Sequence, residues 1–184
     1  LYVNNADYSI FDKKIFEAGY EAVSEQDTYI YLNLNAFPKA FVVPNAIVFD
    51  NKEKILDAIV DNQLDFKDSV ILEQNTNKPL TNKGSFKEAK INLYSPNKVI
   101  ATVNLKTPGY LVLADTFDKG WKAYDNGKET KVFRANYILR GVYLEKGNHE
   151  VIFKYEPGSY KLGRIISIIS LSIILLIVFL KRPN

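Results

Sequence analysis

No cysteine and no methionine occur among the 184 residues, and histidine occurs once, at position 149. Without cysteine there are no disulfides, no thiolate metal sites and no cysteine nucleophile. One histidine makes a histidine-built zinc site or a conventional catalytic triad hard to assemble, so no metal and no cofactor are expected. Phosphate loops, dinucleotide fingerprints and zinc spacings are missing as well. The chain starts Leu1-Tyr2-Val3, and the missing initiator methionine leads us to expect a piece of a longer protein.

Excess charge of one sign is also scarce. A formal net charge of +3 and a mean hydropathy of −0.14 describe an ordinary soluble protein, but both averages hide a division. Residues 154–184 carry +4 and residues 1–153 carry −1. A body this close to neutral has no field to hold a phosphate backbone, which excludes nucleic acid as a partner. With 47% apolar and 13% aromatic residues, the chain is too hydrophobic to stay disordered.

What is present, first, is a long apolar run. Between Arg164 and Lys181 lie sixteen uncharged residues, thirteen of them Ile, Leu, Val or Phe and three of them Ser167, Ser170 and Ser172. Leu162 and Gly163 extend it to about 27 Å of helix, the lower edge of a bilayer core. Lys161, Arg164, Lys181 and Arg182 flank the run and can snorkel to the interface, so the lipid bilayer is the expected partner. Positive charge on both flanks leaves the orientation undecided. Gly163, Ser167 and Ser170 share a helix face where another transmembrane helix of the longer protein could pack. Alternatively, the serines bond back to their own helix.

The rest reads as mainly β with some α. Asp12 to Gly19 suggests a short helix or turn, and Thr28 to Leu34 and Ala40 to Val43 suggest strands. Asp50-Asn51-Lys52-Glu53 has capping-box spacing before the helically spaced Ile55, Leu56, Ile59, Val60 and Leu64, predicting an amphipathic helix on a small sheet. Val70 to Glu73 follows as a strand, and Asn75 to Gly84 as a loop or domain boundary. After Gly84 the period becomes two. Strands around Ala89–Leu93 and Val99–Leu105 meet at the Ser95-Pro96-Asn97 turn. Five more are expected at Tyr110 to Thr116, Trp121 to Tyr124, Lys128 to Phe133, Ile138 to Leu144 and His149 to Tyr155. Asp125-Asn126-Gly127 and Lys146-Gly147-Asn148 read as hairpin turns needing positive φ. The expected organisation is therefore a small α+β subdomain over 1–84, an antiparallel, jelly-roll-like β-sandwich over 85–157 and a transmembrane helix with a short basic tail over 160–182.

Several short strings are specific as an ordered series: Asp115-Thr116-Phe117, Gly120-Trp121-Lys122-Ala123-Tyr124, Asn126-Gly127-Lys128-Glu129, Arg134-Ala135-Asn136-Tyr137, Arg140-Gly141-Val142, Gly147-Asn148-His149 and Phe153-Lys154-Tyr155. Upstream stand Tyr31-Leu32-Asn33, Asn35 to Phe41 and Tyr94-Ser95-Pro96-Asn97. Together with the final helix they resemble the C-terminal part of the bacterial YfhO membrane proteins, over nearly the whole chain. The resemblance implies a polytopic glycosyltransferase using a polyprenyl-phosphate-linked sugar, acting on teichoic acids or related envelope polymers. It also implies that this chain is the extracytoplasmic domain plus the last helix, on the outer face of the bacterial membrane. The catalytic apparatus is then expected in an upstream membrane-embedded part, so no catalytic residue is assigned here, and this piece is expected to cap that active site or to bind glycan.

Trp121, Tyr124, Arg134, Asn136, Tyr137 and Arg140 fall within twenty residues and would converge if strands pair through the Asn126-Gly127 turn. A flat aromatic beside Asp115, Asn136 and the two arginines suits a sugar ring, so Asp115, Trp121, Tyr124, Arg134, Asn136 and Arg140 are the candidate glycan-binding set, for a lipid-linked sugar or an envelope glycopolymer. The competing reading has Trp121 and the tyrosines filling the core while Arg134 and Arg140 pair with Asp115 or Asp118. Asp115 and Asp118 could also be a carboxylate pair for glycoside hydrolysis. His149, between a turn and a strand, reads as a surface or interface imidazole rather than a catalytic base. Outside sugar chemistry, the same features fit a membrane-tethered β-sandwich acting as scaffold or adhesion module.

Overall fold

The computed structural model describes residues 17–25, 29–61, 64–74 and 84–180, and the chain forms two compact units, Leu1–Phe37 and Pro38–Asn184. In the first unit, β1 (Tyr20–Glu25) and β2 (Tyr29–Asn33) pair antiparallel with Tyr20 opposite Asn33. The Gly19 carbonyl accepts from the Leu34 N–H at 2.8 Å and closes the hairpin's open end. The helix or turn expected over 12–19 lies largely outside the described residues.

The second unit is built from β3 (Ala40–Val43), β4 (Asn45–Val48), α1 (Lys52–Val60), β5 (Ser69–Leu72), β6 (Lys87–Glu88), β7 (Lys90–Ser95), β8 (Lys98–Leu105), β9 (Gly109–Thr116), β10 (Trp121–Asp125), β11 (Lys128–Thr130), β12 (Phe133–Ala135), β13 (Leu139–Leu144), β14 (Gly147–Tyr155) and α2 (Gly158–Leu180). Among the described residues its strands form two sheets, ordered β11-β10-β14-β8-β7 and β4-β5-β12-β13-β9-β3-β6. The pairings are antiparallel except β4 with β5. A parallel pair needs a crossover, and α1 supplies it.

The two sheets bury a shared core. Val99, Ala101, Val103 and Leu105 of β8, with Val151 and Phe153 of β14, face Ala40, Val42, Leu111, Leu113, Val142 and Leu144 of the longer sheet. The shorter sheet shows clean alternation, as in β8, because one face is wet. The longer sheet is buried on both faces at its centre: all four residues of β3 and of β5 are buried, as are Gly109 to Leu113 of β9. Its second face collects Phe41, Val43, Tyr110, Val112 and Phe133. That is why these strands appear in the sequence as short continuous apolar runs.

Several expectations change. Helix α1 begins one residue later than the capping box suggested, because the Asn51 side chain caps it by accepting the Glu53 N–H at 2.7 Å. Glu53 is then the second helical residue, one position too early for the reciprocal capping bond. Ile55 and Ala58 pack on Ile71 of β5, so the helix covers one edge of the long sheet rather than a small sheet of its own. Strands before and after the 75–83 segment, which itself lies outside the described residues, share that long sheet. The 1–84 stretch thus supplies β3, β4 and β5 to the sandwich.

Asn126 and Gly127, at φ 47° and 82°, make the expected tight turn, here between β10 and β11. The single strand expected over Lys128 to Phe133 divides instead, β11 staying with β10 and β12 joining β13 in the other sheet. Likewise Lys146-Gly147-Asn148 is a corner between sheets and not a hairpin, since β13 and β14 belong to different sheets; Gly147 has φ 142°.

Helix α2 has 23 residues, and its Gly158–Ile177 stretch is long and apolar enough to cross a membrane. Ser167 Oγ donates to the Gly163 carbonyl and Ser172 Oγ to that of Ile168, each at 2.9 Å, so both serines satisfy themselves within the helix. Only Glu156 and Pro157 separate β14 from α2, and the Glu156 N–H donates to the Gly120 carbonyl at 2.7 Å.

Candidate functional site

β14 runs into α2, so strand register gives the sandwich a helix-proximal and a distal end. Trp121 of β10 is opposite Tyr155, and the Tyr155 N–H donates to the Asn97 carbonyl at 2.9 Å. This places Trp121, the 95–97 turn and the last turn of β14 together at the helix-proximal end.

Here the inward face of the long sheet stops being apolar. Val142 and Leu144 are core residues, but Arg140, on the same face of β13, is 2% exposed and its guanidinium lies 3.5 Å from the Trp121 ring centroid. Arg140 Nη2 donates to Asp115 Oδ2 at 2.8 Å. The other carboxylate oxygen of Asp115 takes Lys39 Nζ at 2.5 Å and the Tyr94 hydroxyl at 2.9 Å. Lys39 also donates to the Ala114 carbonyl at 2.8 Å. Arg140 Nε and Nη1 are buried without a hydrogen-bond partner among the described residues. Tyr94, Ser95, Pro96, Asp115, Thr116, Trp121 and Arg140 line an open cavity of about 320 Å³.

Burial works to raise the Asp115 pKa, but the hydrogen bonds from Lys39 and Tyr94 and the charges of Lys39 and Arg140 outweigh it and hold the group below the usual carboxylate value. Burial lowers the Arg140 value against the opposing pull of Asp115. The Lys39 ammonium is raised, chiefly by its bond to Asp115. With two cations on one carboxylate, the cluster keeps a surplus positive charge.

The candidate glycan-binding set is divided by this geometry. Asp115, Trp121 and Arg140 come together. Tyr124 does not join them: strand alternation turns it to the outer face of the short sheet, where Lys154 Nζ sits 5.4 Å from its ring centroid. Arg134 lies against Glu73 at 3.5 Å and over the Phe117 ring at 5.0 Å, and does not line the cavity. Asn136, at φ 44°, ties β12 to β5: its side-chain oxygen accepts the Ile71 N–H at 2.8 Å and its own N–H donates to the Ile71 carbonyl at 2.9 Å. Tyr137 packs with Ile55 and Ile71 under α1. Convergence through the Asn126-Gly127 turn fails because β12 leaves the sheet that the turn belongs to. Lys39 and Tyr94 were missed; each lies in one of the quoted strings, but nothing local links positions 39, 94, 115 and 140.

Asp118 does not line the cavity with Asp115. Its Oδ1 accepts the Gly120 N–H at 2.7 Å, and this bond first of all lowers its pKa, where a general acid needs a raised one. At the distal end, His149 is 8% exposed, buried where two strands meet rather than on the surface. Nδ1 faces Asp125 at 2.8 Å and Nε2 the Glu145 carbonyl at 2.9 Å. A wider concavity of about 530 Å³ lies there, among Lys87, Asn104, Asn126, Asn148 and His149. Its amides are bonded to one another and to backbone, as in Asn126 Nδ2 to the Asn148 carbonyl at 2.9 Å.

A two-sheet β-domain joined by two residues to an apolar helix, with a charged cavity at the junction, defines a membrane-attached β-sandwich. The chain belongs to the YfhO family: the family model described as bacterial membrane protein YfhO matches residues 23–167. It is 30% identical over 98 residues to "Uncharacterized protein YfhO" of Bacillus subtilis (strain 168), covering 53% of this chain and 11% of that protein. The chain therefore spans about a tenth of that relative's length. Among solved structures, the mycobacterial arabinofuranosyltransferase AftD is similar at 16% identity and a TM-score of 0.36, over 44% of this chain and 6% of that one.

Proposed function

We propose that this chain is the extracytoplasmic domain and a membrane helix of a polytopic glycosyltransferase that moves a sugar from a polyprenyl-phosphate carrier to a cell-envelope polymer such as a teichoic acid. The chain itself is non-catalytic and holds a sugar of the lipid-linked donor or of the glycopolymer acceptor beside the membrane-embedded site. Family membership supports the membrane setting, and the glycosyltransferase activity is the expectation that goes with the YfhO resemblance.

One observation carries the binding role: a buried arginine with two unpartnered nitrogens, stacked on the chain's single tryptophan in the wall of a cavity. Buried polar groups are normally paired, so unpartnered donors at a cavity favour an oxygen-rich ligand. Arg140 covers one face of Trp121, which leaves the 55% exposed Tyr94 ring at the cavity mouth as the surface for a sugar's C–H face. Asp115, Thr116 and Arg140 then meet its hydroxyls.

The test uses Trp121 as its own reporter. Titrating the full chain in detergent with envelope glycopolymers or lipid-linked sugars should shift or quench its emission, and Tyr94→Ala should weaken the response about tenfold, on the order of 1–3 kcal/mol for a lost stacking or hydrogen-bonded contact. Unchanged emission and unchanged amide shifts would favour a tethered scaffold with no sugar chemistry. Protease shaving of intact cells checks the outer placement, since protection of the sandwich contradicts it.

A further inference from the structure

We infer that the outer face of the short sheet carries, at its helix-proximal end, a binding surface for anionic lipid headgroups, formed by Lys98, Lys122 and Lys154 together with Lys161 and Arg164. Register puts the first three in one row: Lys122 is opposite Lys154 on β10 and β14, and Lys154 is opposite Lys98 on β14 and β8. Their neighbours Ala123, Phe153 and Val99 are core residues, so all three lysines point outward on one face. Like charges directly across a sheet oppose folding, and three in succession are a cost that an anionic partner removes.

The local charges do not cancel. Lys122 pairs with Glu129 at 3.2 Å and Lys161 with Glu156 at 3.5 Å. Asp118, also at this end, is held by the Gly120 N–H. Lys154 is placed over the Tyr124 ring, and neither it nor Lys98 has a carboxylate partner among the described residues. The surface is thus net positive immediately before an apolar helix. From Gly158 to Ile165 the helix rises about 10 Å. The headgroup band is about 5–8 Å deep on each side of the hydrocarbon. Screening extends about 8 Å at physiological salt. With Ile165 at the hydrocarbon edge, Gly158 stands about 2–5 Å outside the headgroup band. Lys154 lies four residues before it in the chain, so an extended lysine side chain reaches to within about one screening length of the phosphates. This inference needs only the helix to enter a bilayer, and it is independent of any sugar chemistry.

The experiment reconstitutes the full chain in nanodiscs and measures lysine acylation rates by mass spectrometry. In phosphatidylglycerol discs, Lys98, Lys122 and Lys154 should react at least about threefold more slowly than in phosphatidylcholine discs, in line with the roughly fivefold attraction of a single lysine to an anionic surface. Lys87 and Lys90, near the distal end, should not change. High salt should abolish the protection, and excess inorganic phosphate with phosphatidylcholine discs should not reproduce it. Combining Lys98→Gln, Lys122→Gln and Lys154→Gln should remove phosphatidylglycerol enrichment around the purified chain while leaving Trp121 emission unchanged. Equal rates in the two lipids, or protection by free phosphate alone, would overturn the inference.

Discussion

The two ends of the sandwich are built from similar residues and treat them differently. At the distal end, asparagine amides, Asp125, His149 and the Glu145 carbonyl are paired with one another, and the turn residues Asn126 and Gly127 close the strands. At the helix-proximal end one carboxylate serves two cations, Arg140 keeps two unpartnered nitrogens, and lysines stand side by side. Pairing of these distal groups with one another and surplus positive charge at the other end separate a part that holds the fold from a part set up to meet something else. The surplus lies where the chain meets its apolar helix.

The largest expected effect comes from removing the shared carboxylate. Asp115→Ala leaves Arg140 and Lys39 without their counter-ion and should cost about 3–5 kcal/mol, the range for breaking one side of a buried pair. Denaturant titration of the chain in detergent measures it. Arg140→Met, close in volume, leaves Asp115 with Lys39 and Tyr94 and should cost well under half as much. Equal losses would mean that the cluster is a plain structural ion pair, and the contrast between the ends would weaken.

At the distal end, His149→Gln should cost about 1–3 kcal/mol through the loss of its two buried contacts. Gly127→Ala should cost about 1 kcal/mol, since φ 82° falls in the left-handed region and a Cβ there meets nothing within 4 Å. Neither change should alter ligand or lipid responses. If either did, function would not be confined to the helix-proximal end.

The smallest effect is a pH shift. Asp115 has its pKa lowered on folding, so its stabilising contribution is complete above the ordinary carboxylate value of 3.8 and is lost as pH falls through the lowered value. Trp121 emission should therefore stay native through the usual carboxylate range and change only below it. An emission change centred well above pH 3.8 would contradict the cluster.

Much of the short sheet was legible because one wet face imposes a period of two: β8 and β14 fall where alternation put them. The apolar helix and the Asn126-Gly127 turn were legible for equally local reasons. The long sheet was not. Its joins, such as Ala40 opposite Leu113 and Leu72 opposite Ala135, unite residues with no shared local signal. For the same reason the division of 128–133 between sheets was invisible, although residues 131 and 132 are where the chain changes sheet. In the site, the sequence offers Asp115 as one partner for Arg140, whereas Lys39 and Tyr94 reach Asp115 only through the folded register. Arg134 and Asn136 illustrate the opposite error, in which sequence proximity to Arg140 looked like a shared site.

The most direct measurement concerns where the charged end sits. Trp121 is the chain's single tryptophan, and it lies opposite Tyr155, three residues before the apolar helix begins. Reconstituted with nitroxide-labelled lipids, the chain should show strong quenching of Trp121 by a label on the headgroup and much weaker quenching by one deep in the acyl chain. Absence of headgroup quenching would place the Arg140 cavity away from the membrane and contradict the account.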